Sequence, residues 1–196
     1  MATPIGHSLA GYLVYRAGMS SMPSHTHKPM LLACVLVAVG PDFDFLPGLL
    51  VGQPALYHQG ITHSLGMAIG ISGLVAWGVS RRWHVSQALV TLWGICFFAY
   101  GSHLLIDLCG VDHRPPYGIP LLWPFSQETY LAPVQIFWGV RHATATSNTT
   151  LEWLANLLDL HNLGAIGIEI GVVSPWILAL EFVRSRWKKP FPPAVS

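Results

Sequence analysis

A histidine and an aspartate, His103 and Asp107, stand four residues apart near the end of a long apolar segment. If that segment is a helix, both side chains project from one face, one above the other. Ionisable groups in an apolar membrane helix are costly unless they are paired or bound to a metal. Two interpretations are therefore open: a His–Asp hydrogen bond that tightens a helix bundle, or a pair of metal ligands.

Two aspartates lie in the segment Gly40–Phe45, which reads Gly-Pro-Asp-Phe-Asp-Phe and interrupts an earlier apolar run. In an extended or turn conformation, residues two apart point the same way, so Asp42 and Asp44 can reach one site. The alternative is a turn in which the carboxylates cap backbone amides. The phenylalanines and the apolar runs around the two acids favour a functional role.

Two further histidines, His58 and His63, precede another apolar run, and Gly60 between them permits a sharp turn. Neutral imidazoles and carboxylates, with no thiolate in reach, are the ligands expected for zinc, manganese or a similar divalent ion. Three protein ligands would leave a position for a water whose pKa the metal lowers. A larger ligand set would allow a dinuclear site that clamps both oxygens of a phosphoryl displacement.

The elements that must position these side chains are apolar runs of nearly membrane-spanning length. About 20 apolar residues cross a bilayer as a helix. The runs predict an all-α integral membrane bundle of about four transmembrane helices plus a short N-terminal helix. The runs are Pro29–Val51, Ser64–Ser80, Gln87–Gly110 and Asn162–Val183, and the short helix is Ser8–Gly18.

The composition agrees with a membrane protein. Only 10% of the 196 residues are charged, whereas about 25% is usual in soluble domains. Apolar residues make up 52% and mean hydropathy is +0.48, so we expect the lipid bilayer to be a main partner. The net charge of +1, without a basic run, gives no indication of a nucleic-acid partner. The cysteines, Cys34, Cys96 and Cys109, lack C-x-x-C spacing and are expected to be buried free thiols.

We expect one membrane-embedded domain, residues 1–187, followed by a flexible tail, residues 188–196. Residues 111–161 are rich in proline and polar residues, which predicts an irregular extramembrane region with one helix, Leu151–Leu160.

The basic residues between and after the apolar runs predict the sidedness of the site. Under the positive-inside rule these residues are cytoplasmic, and their placements agree with runs that alternate in direction. The histidines and aspartates then fall toward the outer, periplasmic face of the membrane. The basic residues are Lys28, Arg81, Arg82, Arg184, Arg186, Lys188 and Lys189.

Taken in order, the motifs resemble the YdjM-like family of bacterial inner-membrane proteins. Its members are described as membrane-bound, metal-dependent hydrolases, some of them regulated by LexA. The resemblance rests on His7, then Pro-Asp-Phe-Asp, His-x-Gly-x-Thr-His-Ser and His-Leu-Leu-x-Asp, and spans roughly Thr3 to Ser126. The order of these residues is also similar to that in zinc-dependent phospholipase C, an all-helical phosphodiesterase with clustered metals.

The resemblance implies a hydrolase acting on a small-molecule or lipid-linked phosphoester, with one to three divalent ions, zinc first and manganese second. His7 is placed beside Asp107 on a second ion. His63 and Asp44 are either further ligands or the catalytic groups that orient and deprotonate the attacking water. The first choices for metal ligands are Asp42, His58, His103 and Asp107.

Two residues depart from the pattern or extend it. The family often has an arginine where this chain has Gln59; if that arginine holds a phosphate, Arg114 or Arg141 could replace it here. Glu169, a lone acid in the fourth apolar run, is either a further ligand, as in phospholipase C, or a hydrogen-bonded structural residue.

Two other functions fit the same residues. A metal-ion or proton transporter would use them to carry its ion, although transporter sites usually lie at the membrane midplane rather than at one face. A non-catalytic stress-response membrane protein would keep the site without turnover. Metal binding and hydrolysis, measured together, separate these alternatives.

Overall fold

The computed structural model describes residues 1–19, 22–52, 57–85, 88–113, 115–141 and 159–187. In these ranges the regular structure is helical apart from two isolated β-bridges, so the expected all-α class is confirmed. The α-helices are α1 (Pro4–Gly18), α2 (His27–Val39), α3 (Leu46–Leu50), α4 (Leu65–Arg82), α5 (Leu89–Leu108) and α6 (Leu160–Trp187). Short 3-10 helices lie at Ser24–Thr26, Gly40–Phe45 and Ile61–His63.

Among the described residues, three segments are long and apolar enough to cross a membrane, one fewer than the sequence predicts: Ser24–Leu50, Leu89–Leu108 and Leu160–Arg186. The run Ser64–Ser80 does form a helix, α4, but this helix has only 18 residues. Its last two residues are arginines and its interior contains glycines, which together lower its hydropathy below that of the other three.

Helix α5 lies at the centre of the bundle, against α1, α2 and α4, whereas α6 packs mainly against α1. Apolar side chains from the four central helices form the main core, which includes Met30, Cys34, Ala68, Leu92, Cys96 and Leu104. Cys34 and Cys96 are buried free thiols, as expected, whereas Cys109 is a free thiol that is only half-buried.

The first helix begins at a well-defined cap and approaches α2 closely. The Thr3 hydroxyl accepts hydrogen bonds from the backbone N–H groups of Ile5 and Gly6, and a proline occupies the first helical position. At Gly11, a Cβ atom would lie 2.8 Å from the Cys34 carbonyl oxygen, so only glycine allows this crossing. The crossing brings the start of α1 beside the end of α2.

Helix α4 begins at a serine cap. The Ser64 hydroxyl accepts a hydrogen bond from the Met67 N–H at 3.2 Å. A loop from the predicted extramembrane region lies over this end, where the Leu65 N–H donates to the Leu121 carbonyl at 2.9 Å. The serine cap and this loop together hold the start of α4 and the preceding residue His63 in place.

The two ends of the bundle differ in their side chains. The end that we call the basic end carries Arg16 of α1, Lys28 of α2, the two arginines that end α4, and Arg184 of α6. The opposite end, which we call the site end, comprises the starts of α1 and α4 and the ends of α2 and α5.

Several predicted features lie outside the described residues: nearly all of the helix Leu151–Leu160, the tail 188–196 and Arg114. Within the predicted extramembrane region, residues 111–113 and 115–141 contain no helix, and the last two residues, Leu160 and His161, belong to α6. A single domain over residues 1–187 stays a prediction.

Candidate metal centre

Five ionisable side chains meet at the site end, and we call them the His–Asp cluster. His7 lies in the first turn of α1, Asp42 in the 3-10 helix after α2, and His63 in the 3-10 helix before α4. His103 and Asp107 lie in the last two turns of α5, so their spacing of four places both on one face. All five are buried; Asp42, with 5% of its surface exposed, is the most accessible.

Each histidine of the cluster points its Nε2 atom at both carboxylates. His103 Nε2 lies 3.3 Å from Asp107 Oδ2 and 3.7 Å from Asp42 Oδ1. His7 Nε2 lies 3.4 Å from Asp107 Oδ1 and 3.7 Å from Asp42 Oδ2. His63 Nε2 lies 3.4 Å from both Asp42 Oδ1 and Asp107 Oδ2. The nitrogens and oxygens therefore converge on one small volume.

The converging atoms have no hydrogen-bond partner among the described residues. They are the Nε2 atoms of the three histidines, Asp42 Oδ1 and Asp107 Oδ2. A buried polar atom that lacks a hydrogen-bond partner lowers the free energy of unfolding by about 1–3 kcal/mol. A single cation bound among these five atoms would interact with all of them. Ligands bound tetrahedrally to zinc lie about 3.3–3.4 Å apart, close to the separations found here.

Four members of the cluster form the tightest group. One ligand atom from each lies within 4.8 Å of the others, and these four residues are His7, Asp42, His103 and Asp107. The rings of His7 and His103 stack, with centroids 3.8 Å apart. Two stacked imidazoles repel each other if both are protonated, so the stack suits neutral ligands around a shared cation.

Hydrogen bonds behind the cluster orient its ligands. His103 Nδ1 donates to the Ala38 carbonyl oxygen at 2.7 Å, which leaves the Nε2 lone pair facing the cluster. His63 Nδ1 lies 3.3 Å from Asp44 Oδ2. The Ala2 N–H donates to Asp107 Oδ1 at 3.0 Å. Such outer partners set the tautomer and direction of metal-binding histidines and carboxylates in known metal sites.

Asp44 organises a second group beside the cluster. Its carboxylate accepts hydrogen bonds from His58 Nδ1 at 2.5 Å, from the Thr62 hydroxyl at 2.8 Å and from the Gly60 N–H at 3.2 Å. Behind this group, the Tyr100 hydroxyl donates to the Thr62 carbonyl at 2.6 Å. The turn that carries both histidines is thus held in place by one carboxylate.

Asp42 and Asp44 both contact the His63 ring, but not through the extended or turn conformation that the sequence predicts. Residues 40–45 form a 3-10 helix rather than an extended turn, and a helix of three residues per turn sends residues two apart in different directions. Asp42 enters the cluster, whereas Asp44 lies behind His63 and binds His58. The structure therefore groups three of the four first-choice ligands with His7, and the fourth, His58, lies outside this group.

The carboxylates make the cluster attractive to positive charge. Burial lowers the pKa of His63, but the facing carboxylates of Asp107, Asp42 and Asp44 outweigh it and raise the pKa well above its ordinary value. Burial likewise lowers the pKa of His7, and the charge of Asp107 overcomes this effect and raises it. A proton or a metal ion can supply the missing positive charge.

Sequence reasoning did not foresee several residues that shape the site. Thr62 gives no sequence signal for this role, because its bond to Asp44 depends on the 3-10 turn. Ala38 and Ala2 act through backbone atoms, for which the sequence carries no signal. Gln59 has a φ of 62°, in the left-handed region that few residues other than glycine adopt.

Of the two cationic residues proposed as replacements for the family arginine, the structure describes only Arg141, and it is not found at the cluster. Arg141 is exposed, and its N–H donates to the Asn162 side chain at 2.8 Å. Arg114 lies outside the described residues. Glu169 is also outside the tight ligand group, and instead binds backbone groups at the start of α1.

Comparisons with known proteins agree with the motifs. A family model described as YdjM inner membrane protein matches residues 1–187. The inner membrane protein YbcI of Escherichia coli (strain K12) is 32% identical over 110 residues, which are 55% of this chain and 60% of that protein. The chain therefore covers less than two thirds of this relative. No solved structure matches, and the similarity to phospholipase C stays a prediction.

Proposed function

Because the chain belongs to the YdjM inner membrane protein family, we propose that it is a metal-dependent hydrolase of the inner membrane. In this proposal it cleaves a phosphoester with a metal-activated water. The observation that carries the proposal is the convergence of buried, unpartnered nitrogen and oxygen atoms in the His–Asp cluster. A donor set of imidazoles and carboxylates suits zinc, with manganese as the alternative.

We assign the metal ligands from the tight group, with His63 as a fifth ligand or as the residue that holds the attacking water. His7, His103, Asp42 and Asp107 would hold the ion. A divalent ion in such a site lowers the pKa of a water and polarises a phosphoryl oxygen. Substrate would approach past Asp42, because its carboxylate is the most exposed of the cluster.

Asp44 and His58 are assigned to proton handling beside the ligands. Asp44 accepts from His58 Nδ1 and lies 3.3 Å from His63 Nδ1, so it connects an imidazole of the cluster to one outside it. A proton taken from the attacking water could be held on this chain of three side chains. Asp44 also keeps the direction of the His63 ring constant during the reaction.

The position of the cluster supports a lipid-linked substrate at the periplasmic face. The cluster lies at one end of the bundle, and the basic residues that favour the cytoplasm lie at the other. A site at the end of membrane helices is at the depth of lipid headgroups, where a phosphoester carried by a lipid would be presented.

The test is metal-dependent hydrolysis by the purified full chain in detergent. A panel of soluble and lipid-linked phosphoesters is assayed with the wild type, Asp107→Ala and His25→Ala, a control that removes an exposed histidine at the basic end. We expect activity that chelation abolishes and zinc or manganese restores, present in the wild type and the control but absent in Asp107→Ala. Hydrolysis that survives in Asp107→Ala would contradict the proposal.

The burial of the cluster favours a second candidate, a non-catalytic metal-binding or metal-transporting membrane protein. Structural metal sites are usually closed by protein ligands, whereas catalytic sites keep a position open. The His–Asp cluster offers five buried side chains, enough to enclose an ion. Metal-loaded protein that hydrolyses no member of the panel would favour this candidate, and uptake of zinc by proteoliposomes would identify a transporter.

A further inference from the structure

The geometry points to Glu169 as a positioning residue for the metal centre: through the first turn of α1, it fixes the place of His7. The role depends on the proposed function, since it presupposes that His7 binds the metal. Glu169 lies on the peripheral helix α6, outside the tight ligand group, and is 1% exposed. Its effect on the site must therefore pass through the groups that it binds.

The Glu169 carboxylate binds the start of α1 through both of its oxygens. The Thr3 N–H donates to Oε1 at 2.7 Å and the Gly6 N–H donates to Oε2 at 3.1 Å. The Thr3 hydroxyl also donates to Oε2. These N–H groups have no backbone carbonyl partner within the helix, and the positive end of the helix dipole lies there, so a buried carboxylate is well placed to bind them.

The residues that Glu169 holds are the immediate neighbours of cluster residues and their partners. Gly6 directly precedes His7, and Thr3 directly follows Ala2, whose N–H donates to Asp107 Oδ1 at 3.0 Å. A shift of the first turn of α1 would thus move one imidazole of the cluster and remove a hydrogen bond from one of its carboxylates.

Gly6 shows how closely the carboxylate approaches the helix. A Cβ atom at this position would lie 2.6 Å from Glu169 Oε2 and 2.8 Å from Glu169 Cδ. Since only glycine leaves room for the carboxylate, Gly6→Ala would displace Glu169 while leaving every residue of the cluster in the sequence. This substitution gives a second, independent way to break the contact.

The other end of α6 provides a matched control. Glu181 also joins α6 to α1, since Arg16 donates to its carboxylate at 2.5 and 2.8 Å. This ion pair lies at the basic end, three turns of α6 away from Glu169 and far from the cluster. Glu169→Gln and Glu181→Gln therefore remove equivalent charges from the same helix–helix contact, at different distances from His7.

The experiment is a titration with Co²⁺, which reports ligand geometry through its absorption spectrum. The wild type, Glu169→Gln, Gly6→Ala and Glu181→Gln are titrated as full chains in detergent, with melting temperatures measured in parallel. We expect Glu169→Gln to weaken Co²⁺ binding by about 10- to 100-fold and to alter the spectrum, as outer-sphere substitutions do. Gly6→Ala should change both in the same direction, and Glu181→Gln should match the wild type.

The outcomes separate this role from a merely structural one. If Glu169→Gln lowers the melting temperature but binds Co²⁺ with the spectrum and affinity of Glu181→Gln, Glu169 only ties α6 to α1 and the inference is overturned, while the proposed function stands. If the wild type binds no Co²⁺, Zn²⁺ or Mn²⁺, the proposed metal centre fails and this role is lost with it.

Discussion

The two ends of the helix bundle handle charge in opposite ways. At the basic end, Arg16 binds Glu181 through two nitrogens, at 2.5 and 2.8 Å, so each charge has its counter-charge in direct contact. At the site end, the described ion-pair partners of Asp42 and Asp107 are imidazoles, at 3.3 to 3.7 Å. The Arg16–Glu181 pair is complete with its own side chains, whereas the group of histidines and aspartates at the site end could hold a cation.

The charged side chains of the two ends differ in burial as well as in residue type. The side chains of Arg16 and Glu181 keep 27% and 38% of their surface exposed, so solvent also stabilises their charges. The acids of the cluster are buried, and none of the described ion pairs of the cluster involves an arginine or a lysine. Buried charges of this kind persist in proteins when they are paired or bind a metal.

Removal of the metal should have the largest effect and should act only through the site end. An ion at about 1,000 times its Kd contributes about 4 kcal/mol to the free energy of unfolding. Chelation should therefore lower the melting temperature of the metal-loaded wild type by about 10 °C, and zinc should restore it. Differential scanning fluorimetry measures the shift. A melting temperature that chelation leaves unchanged would contradict an ion that bridges three helix ends.

Loss of one metal ligand should have the second-largest effect. His103→Ala removes the only ligand whose ring is oriented by α2, through the Ala38 carbonyl, and should weaken zinc binding by more than about 100-fold, the upper range for outer-sphere residues. Competition with a chromophoric chelator measures the affinity. His84→Ala, which removes a histidine near the basic end, serves as the control and should bind zinc like the wild type. Equal zinc affinities of His103→Ala and His84→Ala would show that zinc does not bind at the site end.

Loss of Asp44 should have an intermediate effect, because Asp44 orients a ligand rather than serving as one. Asp44→Asn keeps an acceptor for the Thr62 hydroxyl but weakens the bond to the His63 ring, so we expect about tenfold weaker zinc binding. The same competition assay measures it. A loss as large as that of His103→Ala would instead make Asp44 a ligand.

The smallest effect is expected from the ion pair at the basic end. Glu181→Gln should cost at most about 1 kcal/mol in the free energy of unfolding, because partly exposed ion pairs contribute little. Urea unfolding measures the cost, which should shrink as salt is added. Since this end needs no metal, the chelation shift should equal that of the wild type; a smaller shift would show that the two ends are coupled.

Much of the fold could be predicted from the sequence because it rests on local signals. Long apolar runs predict helices, and His-x-x-x-Asp on α5 fixes one face of the cluster through the helical repeat alone. The order of motifs also predicts the family. The number of membrane-spanning segments was harder, because α4 is helical but ends in two arginines and includes several glycines.

The details of the site could not be predicted because they depend on backbone conformation in short irregular segments. Whether Asp44 faces the cluster is decided by the 3-10 geometry of residues 40–45, which composition does not distinguish from a turn. Whether His58 or His63 enters the cluster is decided by the turn at Gln59 and Gly60. The bonds from Glu169 to Thr3 and Gly6 join residues more than 160 positions apart in the sequence.

The central claim is that the site end holds a divalent ion through imidazole and carboxylate groups. X-ray absorption spectroscopy of the zinc-loaded wild type tests it most directly, since it reports the atoms around the ion without any assumption about activity. The account predicts a shell of nitrogen and oxygen at about 2.0–2.2 Å with the outer scattering of imidazole rings. A sulfur shell at about 2.3 Å, or a purified protein that retains no zinc, would contradict it.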